Sequence, residues 1–315
     1  MKSNLDLINE SDSFPYYEDN PGKYIKFRSS YWEFHLRGGS GPHGYMPQYV
    51  FERFAEMPWV NAWDIDFSKK TLTPGPGRQE DIIREELEQA KKKGVFEVLN
   101  RGWRNELYPI YGHNDPSEKI ISMERAGSAL FGINSYGVHM TVFVNTPEGM
   151  KIWVPRRAKN KQTYGGYLDN TVAGGLSTGE QPFECMIREC AEEASLPEAL
   201  VRSNAKPCGT VSYIHIRDER AGGETGLVQP ECQHVYDMEI GADVIPKPCD
   251  DEVESFYLWT VEEVQEALAK GQFKPNCALV LLDFFVRHGI LTGDNEPDYV
   301  EIVSRLHRKL PFPTS

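Results

Sequence analysis

The stretch GGLSTGEQPFECMIRECAEEASL, residues 174–196, constrains this chain more than any other: six charged side chains crowd into a helix-like run directly behind a glycine loop. Pro182 suits the first turn of a helix, where its missing N–H costs nothing. At about 100° per residue, Phe183, Met186, Ile187, Cys190 and Ala194 then fall on one side, which faces a core. Glu189, Glu192 and Glu193, spaced i, i+3 and i+4, gather away from it. Three carboxylates so close repel one another unless a cation stands between them, and hard oxygen donors suit Mg²⁺ or Mn²⁺ rather than zinc. Taken alone, such a trio is more often a solvated acidic face. What sets this one apart is that Gly174, Glu180 and Arg188 precede it at fixed separations.

From Tyr136 onward, YGVHMTVFV, MKIWVP, GTVSYIHI, QHVYDMEI and ESFYLWT are rich in β-branched and aromatic residues and partly alternate, as strands do. VEEVQEALAKG, NCALVLLDFFVRHG and DYVEIVSRLHRKL follow with helical period. The order strand, loop, helix, strands, helix predicts an α/β fold with a mixed sheet between helices, an α/β/α sandwich. A small mixed α/β region precedes it. There, GGSGPHGYM and TLTPGPGRQ are turn-rich loops. EDIIREELEQAKKKG, acidic early, basic late and ended by Gly, reads as a capped helix, and ISMERAGSALFG is predicted as a further helix closed by Gly132. We therefore expect an N-terminal domain over residues 1–132 and a second domain with C-terminal helices over 133–315.

The formal net charge of −13 over 315 residues lacks the basic footprint that non-specific binding to nucleic acid or an anionic membrane needs. An anionic substrate then requires local Lys and Arg, or a metal ion. The apolar run CALVLLDFFVRHG is about half of what a bilayer requires, so no membrane partner is expected. The start, MKSNLDLINESDSF, has acids and no apolar h-region, unlike a signal peptide. Six cysteines without Cys-x-x-Cys spacing read as reduced thiols, and a cytoplasmic location is the expectation. A homodimer stays an open option.

The spacing G-x5-E-x7-R-E-U-x-E-E-x-G-U, with U apolar, resembles the signature of the Nudix hydrolases. Gly174, Glu180, Arg188, Glu189, Cys190, Glu192, Glu193 and Leu196 stand at its places, and Ser195 replaces its second glycine. A helix often closes there in a left-handed conformation, so Ser195 is expected to carry strain on the order of 1 kcal/mol without removing a ligand. The resemblance implies the Nudix sandwich and hydrolysis of a small-molecule organic diphosphate by water attack at phosphorus, assisted by Mg²⁺ or Mn²⁺. It implies Glu192 and Glu193 as metal ligands, Glu189 as a further ligand or the base, Arg188 pairing with Glu180 to orient the loop, and the Ala173 carbonyl as an added ligand. Arg188, Glu189, Glu193 and, from outside the box, Glu252 are thus the catalytic candidates; Glu252 and Glu254 read equally well as an edge-strand acid pair. Arg156 and Arg157, with Lys159 and Lys161, are candidates for phosphate or a solvated basic loop.

Beyond the box, RGWRNELYPIYG, MERAGSALFGINSYGVHMTVFV, KIWVPRRAKNKQTYGGYLDNTVAGGL and KPNCALVLLDFFVRHG are similar to those Nudix proteins whose N-terminal domain is related to a segment attached to thiamin pyrophosphokinase in some fungi. That resemblance implies thiamin diphosphate-like substrates, with preference for oxo- and oxythiamin diphosphate, cut to the monophosphate in metabolite damage repair. A ligand of two flat rings and a diphosphate calls for aromatic walls beside a metal cluster. Trp103, with Tyr108 and Tyr111, and Asn170 in the turn before the box are the substrate candidates. Competing expectations are a pyrophosphatase of a nucleotide-type diphosphate, a non-catalytic ligand-binding protein on the same fold, and an isomerase, for which Cys190 points by period to the core. RNA decapping is disfavoured by the acidity.

Overall fold

A computed structural model describes residues 1–57, 62–115, 119–249 and 251–314. The N-terminal part comprises α1 (Asn4–Ser11), α2 (Pro21–Arg28), β1 (Tyr31–Phe34), β2 (Gly44–Pro47), α3 (Gln48–Ala55), β3 (Trp63–Asp66), β4 (Thr71–Pro74), α4 (Gln79–Lys93), α5 (Glu97–Gly102), β5 (Leu107–Tyr111), β6 (Lys119–Glu124) and α6 (Arg125–Phe131). The remainder runs through β7 (Ser135–Thr146), β8 (Gly149–Arg157), β9 (Val172–Gly175), α7 (Pro182–Ala194), α8 (Glu198–Asn204), β10 (Ala205–Ile216), β11 (Val228–Glu239), β12 (Val253–Thr260), α9 (Val261–Ala269), α10 (Pro275–Arg287) and α11 (Tyr299–Arg305).

The central sheet has the order β10-β11-β7-β8-β12, with β9 also on β7. β11 runs parallel to β7, from Glu231 opposite Ser135 to Glu239 opposite Phe143; the other pairings are antiparallel. The sheet is therefore mixed. Strand β7 explains the layering, because successive side chains of a strand point to opposite faces. Tyr136, Val138, Met140, Val142 and Val144 are buried with Met186, Ile187 and Cys190 of α7. Phe143, on the other face, is buried with Leu281, Phe284 and Phe285 of α10. One near-continuous apolar strand thus feeds two cores, which makes the α/β/α sandwich.

A separate core holds the N-terminal sheet β2-β1-β4-β3 against α3, α4 and α6, with Trp32 stacked on Phe51 at 3.6 Å between ring centroids. Helix α1 does not join it. Leu7 and Ile8 are buried among the residues of α10 and α11, and buried Asp12 accepts from Arg308 at 2.8 Å and Arg305 at 3.3 Å.

Two elements differ from expectation. The first half of ISMERAGSALFG is strand β6, because Ile120 and Ile121 extend a hairpin with β5. Only Arg125–Phe131 is helical, closed by Gly132 at φ 66°. Helix α11 stops at Arg305 rather than continuing through RLHRKL. Beyond it the chain turns extended and exchanges backbone bonds with Ser212 of β10, whose N–H donates to the Leu306 carbonyl while the Arg308 N–H donates to the Ser212 carbonyl. Among the described residues no helix is long and apolar enough to cross a membrane.

Candidate active site

Helix α7 starts with Pro182 in its first turn and ends at Ser195, which adopts the left-handed conformation, φ 53° and ψ 30°. The Ser195 hydroxyl donates to the Lys247 carbonyl at 3.0 Å, a partial compensation for its backbone strain. Cys190 lies fully buried on the core side.

On the other side, Arg188 organises the acids. Its Nε and Nη2 donate to the two oxygens of Glu180 at 2.8 and 3.2 Å, and its Nη1 donates to Glu189 and Glu192 at 2.9 Å each. Such a bidentate pairing fixes orientation as well as charge. Hydrogen bonding to Glu180 is the main reason that the Arg188 guanidinium is held more firmly protonated than usual. Burial works against ionisation of Glu180, yet Arg188 outweighs it and keeps that carboxyl below its ordinary range.

Strand β9, which sequence patterning did not reveal, brings the glycine loop beneath α7. Ala173 pairs with His139 and Gly175 with Gly137 of β7. The Ala173 N–H donates to Glu193 Oε2 at 3.1 Å. A side chain at Gly174 would overlap the Glu189 carboxylate, so the glycine gives that carboxylate its place. Burial pushes Glu189 up, with Arg188 opposing. Burial, then the neighbouring charges of Glu189 and Asp169, push Glu193 well above the usual carboxylate range.

This donor set fits a hard divalent cation. One buried and one half-buried carboxylate that resist ionisation gain from a positive charge between them, and all the donors are oxygen. Among the described residues no three His, Cys, Asp or Glu side chains already stand at metal-binding spacing. Glu192, whose side chain is 53% exposed, is turned to Arg188.

Gly174, Glu180, Arg188, Glu189, Glu192, Glu193, Arg157 and Glu252 line one cavity of about 810 Å³. Glu252 sits just before β12 and pairs with Lys161 and, at 3.6 Å, with Arg104. Burial raises its proton affinity, but Lys161 and then Arg104 and Arg157 hold the carboxyl below its ordinary range. Glu254 is exposed and stands outside the lining. Arg157 is engaged by buried Asp169 and by the Thr163 carbonyl.

Besides Glu254, five residues expected at the site stand outside that lining: Tyr111, Lys159, Arg156, Trp103 and Asn170. Arg156 is drawn away by the Gly166 carbonyl at 2.8 Å. Trp103 lies beneath the Lys91 ammonium, 4.3 Å from its ring, and its indole N–H donates to Asn105. Asn170 is buried as a tie between sheet and helix, 2.7 Å from His139 Nδ1 and donating to the Cys277 carbonyl at 3.3 Å.

Tyr108, a substrate candidate from the sequence, reaches the cavity from the N-terminal part beside Arg104 and Glu106 of the same segment, together with Arg125, which sequence patterning missed. They buttress the glycine loop: the Ser177 hydroxyl donates to Glu106 at 2.9 Å, and the Thr178 N–H donates to the Leu107 carbonyl at 2.7 Å. From the sheet come Tyr213, Glu231 and Gln233. Their one signal in the chain is the polar interruption QPECQ within an otherwise strand-like run.

A mixed sheet between helices, with a glycine loop and an acidic helix at its edge, defines the class. The family model described as the NUDIX domain matches residues 135–278, and the chain thus carries a NUDIX domain preceded by an N-terminal α/β region. An uncharacterised protein of Saccharomyces cerevisiae is 44% identical over 220 residues, spanning 68% of this chain and 64% of that protein. The Arabidopsis thaliana protein named Nudix hydrolase 20, chloroplastic, is 37% identical over 210 residues, spanning 66% of this chain and 53% of the relative. A crystal structure from Deinococcus radiodurans is similar over 64% of this chain and 100% of its own, at 20% identity and a TM-score of 0.39. The chain spans less than two thirds of the length of both of these curated relatives.

Proposed function

We propose that this chain is a Mg²⁺- or Mn²⁺-dependent hydrolase of small organic diphosphates, and that its substrates are thiamin diphosphate analogues, oxo- or oxythiamin diphosphate, cut to the monophosphate plus phosphate. The observation that carries the hydrolase reading is the pairing of buried Glu193 with half-buried Glu189, whose carboxylate lies over side-chain-free Gly174, in a cavity that also receives Glu252 and Lys161. The match to a NUDIX domain and the relatives' names support it. The thiamin assignment rests on the resemblance of the flanking segments. Action in the cytoplasm, without a nucleic-acid or membrane partner, belongs to the same proposal.

In this reading Glu189, Glu192 and Glu193 hold the cation, which supplies charge neutralisation and acidifies water when bound. Arg188 keeps the loop in place through Glu180. Glu252 accepts the proton of the attacking water as the new O–P bond forms and the bridging P–O bond breaks. Lys161 and Arg104, which now hold Glu252, turn to the phosphate charge as the diphosphate enters.

The test is product assay of the purified chain with Mg²⁺ against thiamin diphosphate, oxythiamin diphosphate, ADP-ribose, NADH and coenzyme A. Preferential conversion of oxythiamin diphosphate to its monophosphate is expected. Preference for ADP-ribose or NADH would replace the thiamin assignment with a nucleotide-type one. Turnover of none would leave a ligand-binding protein.

A further inference from the structure

The turn that joins β10 to β11, residues 217–227, leaves the central sheet and docks on the N-terminal part. Leu227, fully buried, belongs to the N-terminal core. Before it the tip of the turn is tied by polar bonds. Tyr31 Oη donates to the Gly226 carbonyl at 3.3 Å and Tyr49 Oη to the Thr225 carbonyl at 2.9 Å. Glu224 makes the strongest tie. Its two oxygens accept the N–H groups of Glu97 and Val98, in the first turn of α5, at 2.6 and 2.9 Å, and Arg53 stands 3.7 Å away. Charge-assisted bonds of this kind outweigh those of the two tyrosines.

This tip divides two hollows. Ala221, Gly222 and Gly223 line the cavity of about 810 Å³ together with Glu97 and Val98 of α5. A surface hollow of about 550 Å³ is lined by Tyr49, Arg53, Glu224 and Thr225. Glu97 and Gly223 line both. The wall between the hollows is therefore the contact that Glu224 fastens.

The tip also has the means to move. Arg217 Nε and Nη2 donate to the Gly222 carbonyl at 3.0 and 2.7 Å, and Nη2 to the Ala221 carbonyl at 3.1 Å, which holds residues 217–222 as a closed turn. Gly222 and Gly226 bound the remainder, at φ 70° and 76°, where glycine turns freely. Among the described residues nothing lies within 4 Å of where a side chain at Gly226 would begin. A tip with polar ties, glycine ends and open space around it opens more readily than the core that anchors it.

We propose that residues 222–226 form a gate, hinged at Gly222 and Gly226 and latched by Glu224, whose opening joins the two hollows into a second passage to the cavity. Leu227 stays in its core while the tip swings. With the latch closed the passage excludes water and retains the ligand; product leaves when Glu224 releases the α5 amides. The dependence of turnover on the gate rests on the hydrolase reading, whereas the opening itself does not.

Hydrogen exchange on the full chain reads the opening. The Glu97 and Val98 amides are expected to exchange far faster than those of β7, and Glu224→Gln, which removes the charge and one acceptor, to speed them at least about tenfold with β7 and α10 unchanged. A cross-link closes the gate. A Cβ at Gly223 would lie 3.1 Å from Val98 Cγ1, close to the roughly 3 Å that a disulfide sets between the Cβ of one cysteine and the Sγ of the other. In the double variant Val98→Cys, Gly223→Cys, oxidation is expected to slow the Glu97 amide and to lower turnover of oxythiamin diphosphate at least about tenfold, and dithiothreitol to restore both; each single variant under the same oxidant is the control. If the disulfide does not close, Glu224→Gln decides: early release raises KM severalfold with kcat no lower, and a lower kcat counts against the gate. Seam amides as slow as those of β7, or an oxidised chain that turns over at the reduced rate, overturn it. A wild type that hydrolyses nothing, with seam exchange that the cross-link suppresses, would sink the hydrolase reading and leave the gate standing.

Discussion

Glu193 is 8% exposed and accepts a backbone N–H, so its environment favours the proton unless a cation is supplied. Glu193→Gln preserves the acceptor and removes the charge. Turnover is expected to fall at least about a hundredfold with unchanged circular dichroism; an active variant would remove Glu193 from the metal site. Ser195 tests the opposite property, because its left-handed backbone is a burden on the fold rather than on the chemistry. Ser195→Gly should stabilise the chain by about 0.5–1 kcal/mol, less the lost bond to Lys247, in a urea unfolding curve. The i, i+3 and i+4 offsets grouped the glutamates, while it was the resemblance to the Nudix pattern, with its glycine at the helix end, that marked Ser195. Why Gly174 must lack a side chain was hidden, since Glu189, which needs that space, is fifteen residues away in the chain and touches it only after β9 docks.

Among elements, α4 carries a test of burial. Glu86 is 6% exposed, and burial pushes it up to about 7, with Lys93 opposing. Its folded pKa lies above the ordinary value of about 4.3, so the native state binds the proton more tightly. The stability this contributes is present below about pH 4.3 and is lost as pH rises through about 7. Glu86→Gln is therefore expected to raise Tm by a few degrees at about pH 8 and to leave it nearly unchanged at about pH 4, read by thermal scans across that window. Element types followed their periods well where the period ran long, as in α4, α7, β7 and α10. Hairpin β5–β6 was misread because four residues of strand run directly into α6 with no breaker between them.

For the whole molecule, the N-terminal residues tie the two ends of the chain. Ile8 is fully buried against the C-terminal helices, and Asp12 accepts from Arg305 and Arg308. Ile8→Ala should cost about 2–4 kcal/mol of unfolding free energy, although it lies far along the chain from that core; a loss under about 1 kcal/mol would show that α1 packs loosely. The division into units at residue 132 remains a proposal. Contacts such as Thr178 with Leu107 and Arg104 with Glu252 make the cavity wall a joint product of both parts. Removing Mg²⁺ with a chelator should abolish the proposed hydrolysis and restore it on readdition, in the same product assay.

By itself the sequence determined what depends on neighbours a few residues apart: the acidic face and apolar stripe of α7, its first-turn proline and strained end, and the alternation that sets strands between helices. Only the tertiary structure decided what long-range pairing assembles. It laid β9 on β7, turned Arg156, Trp103 and Asn170 to other partners, and gathered Arg104 and Glu231 around one cavity. The physical reason is that periodicity records which face of an element is buried, whereas the identity of the group across the gap depends on sheet register and on packing between distant segments.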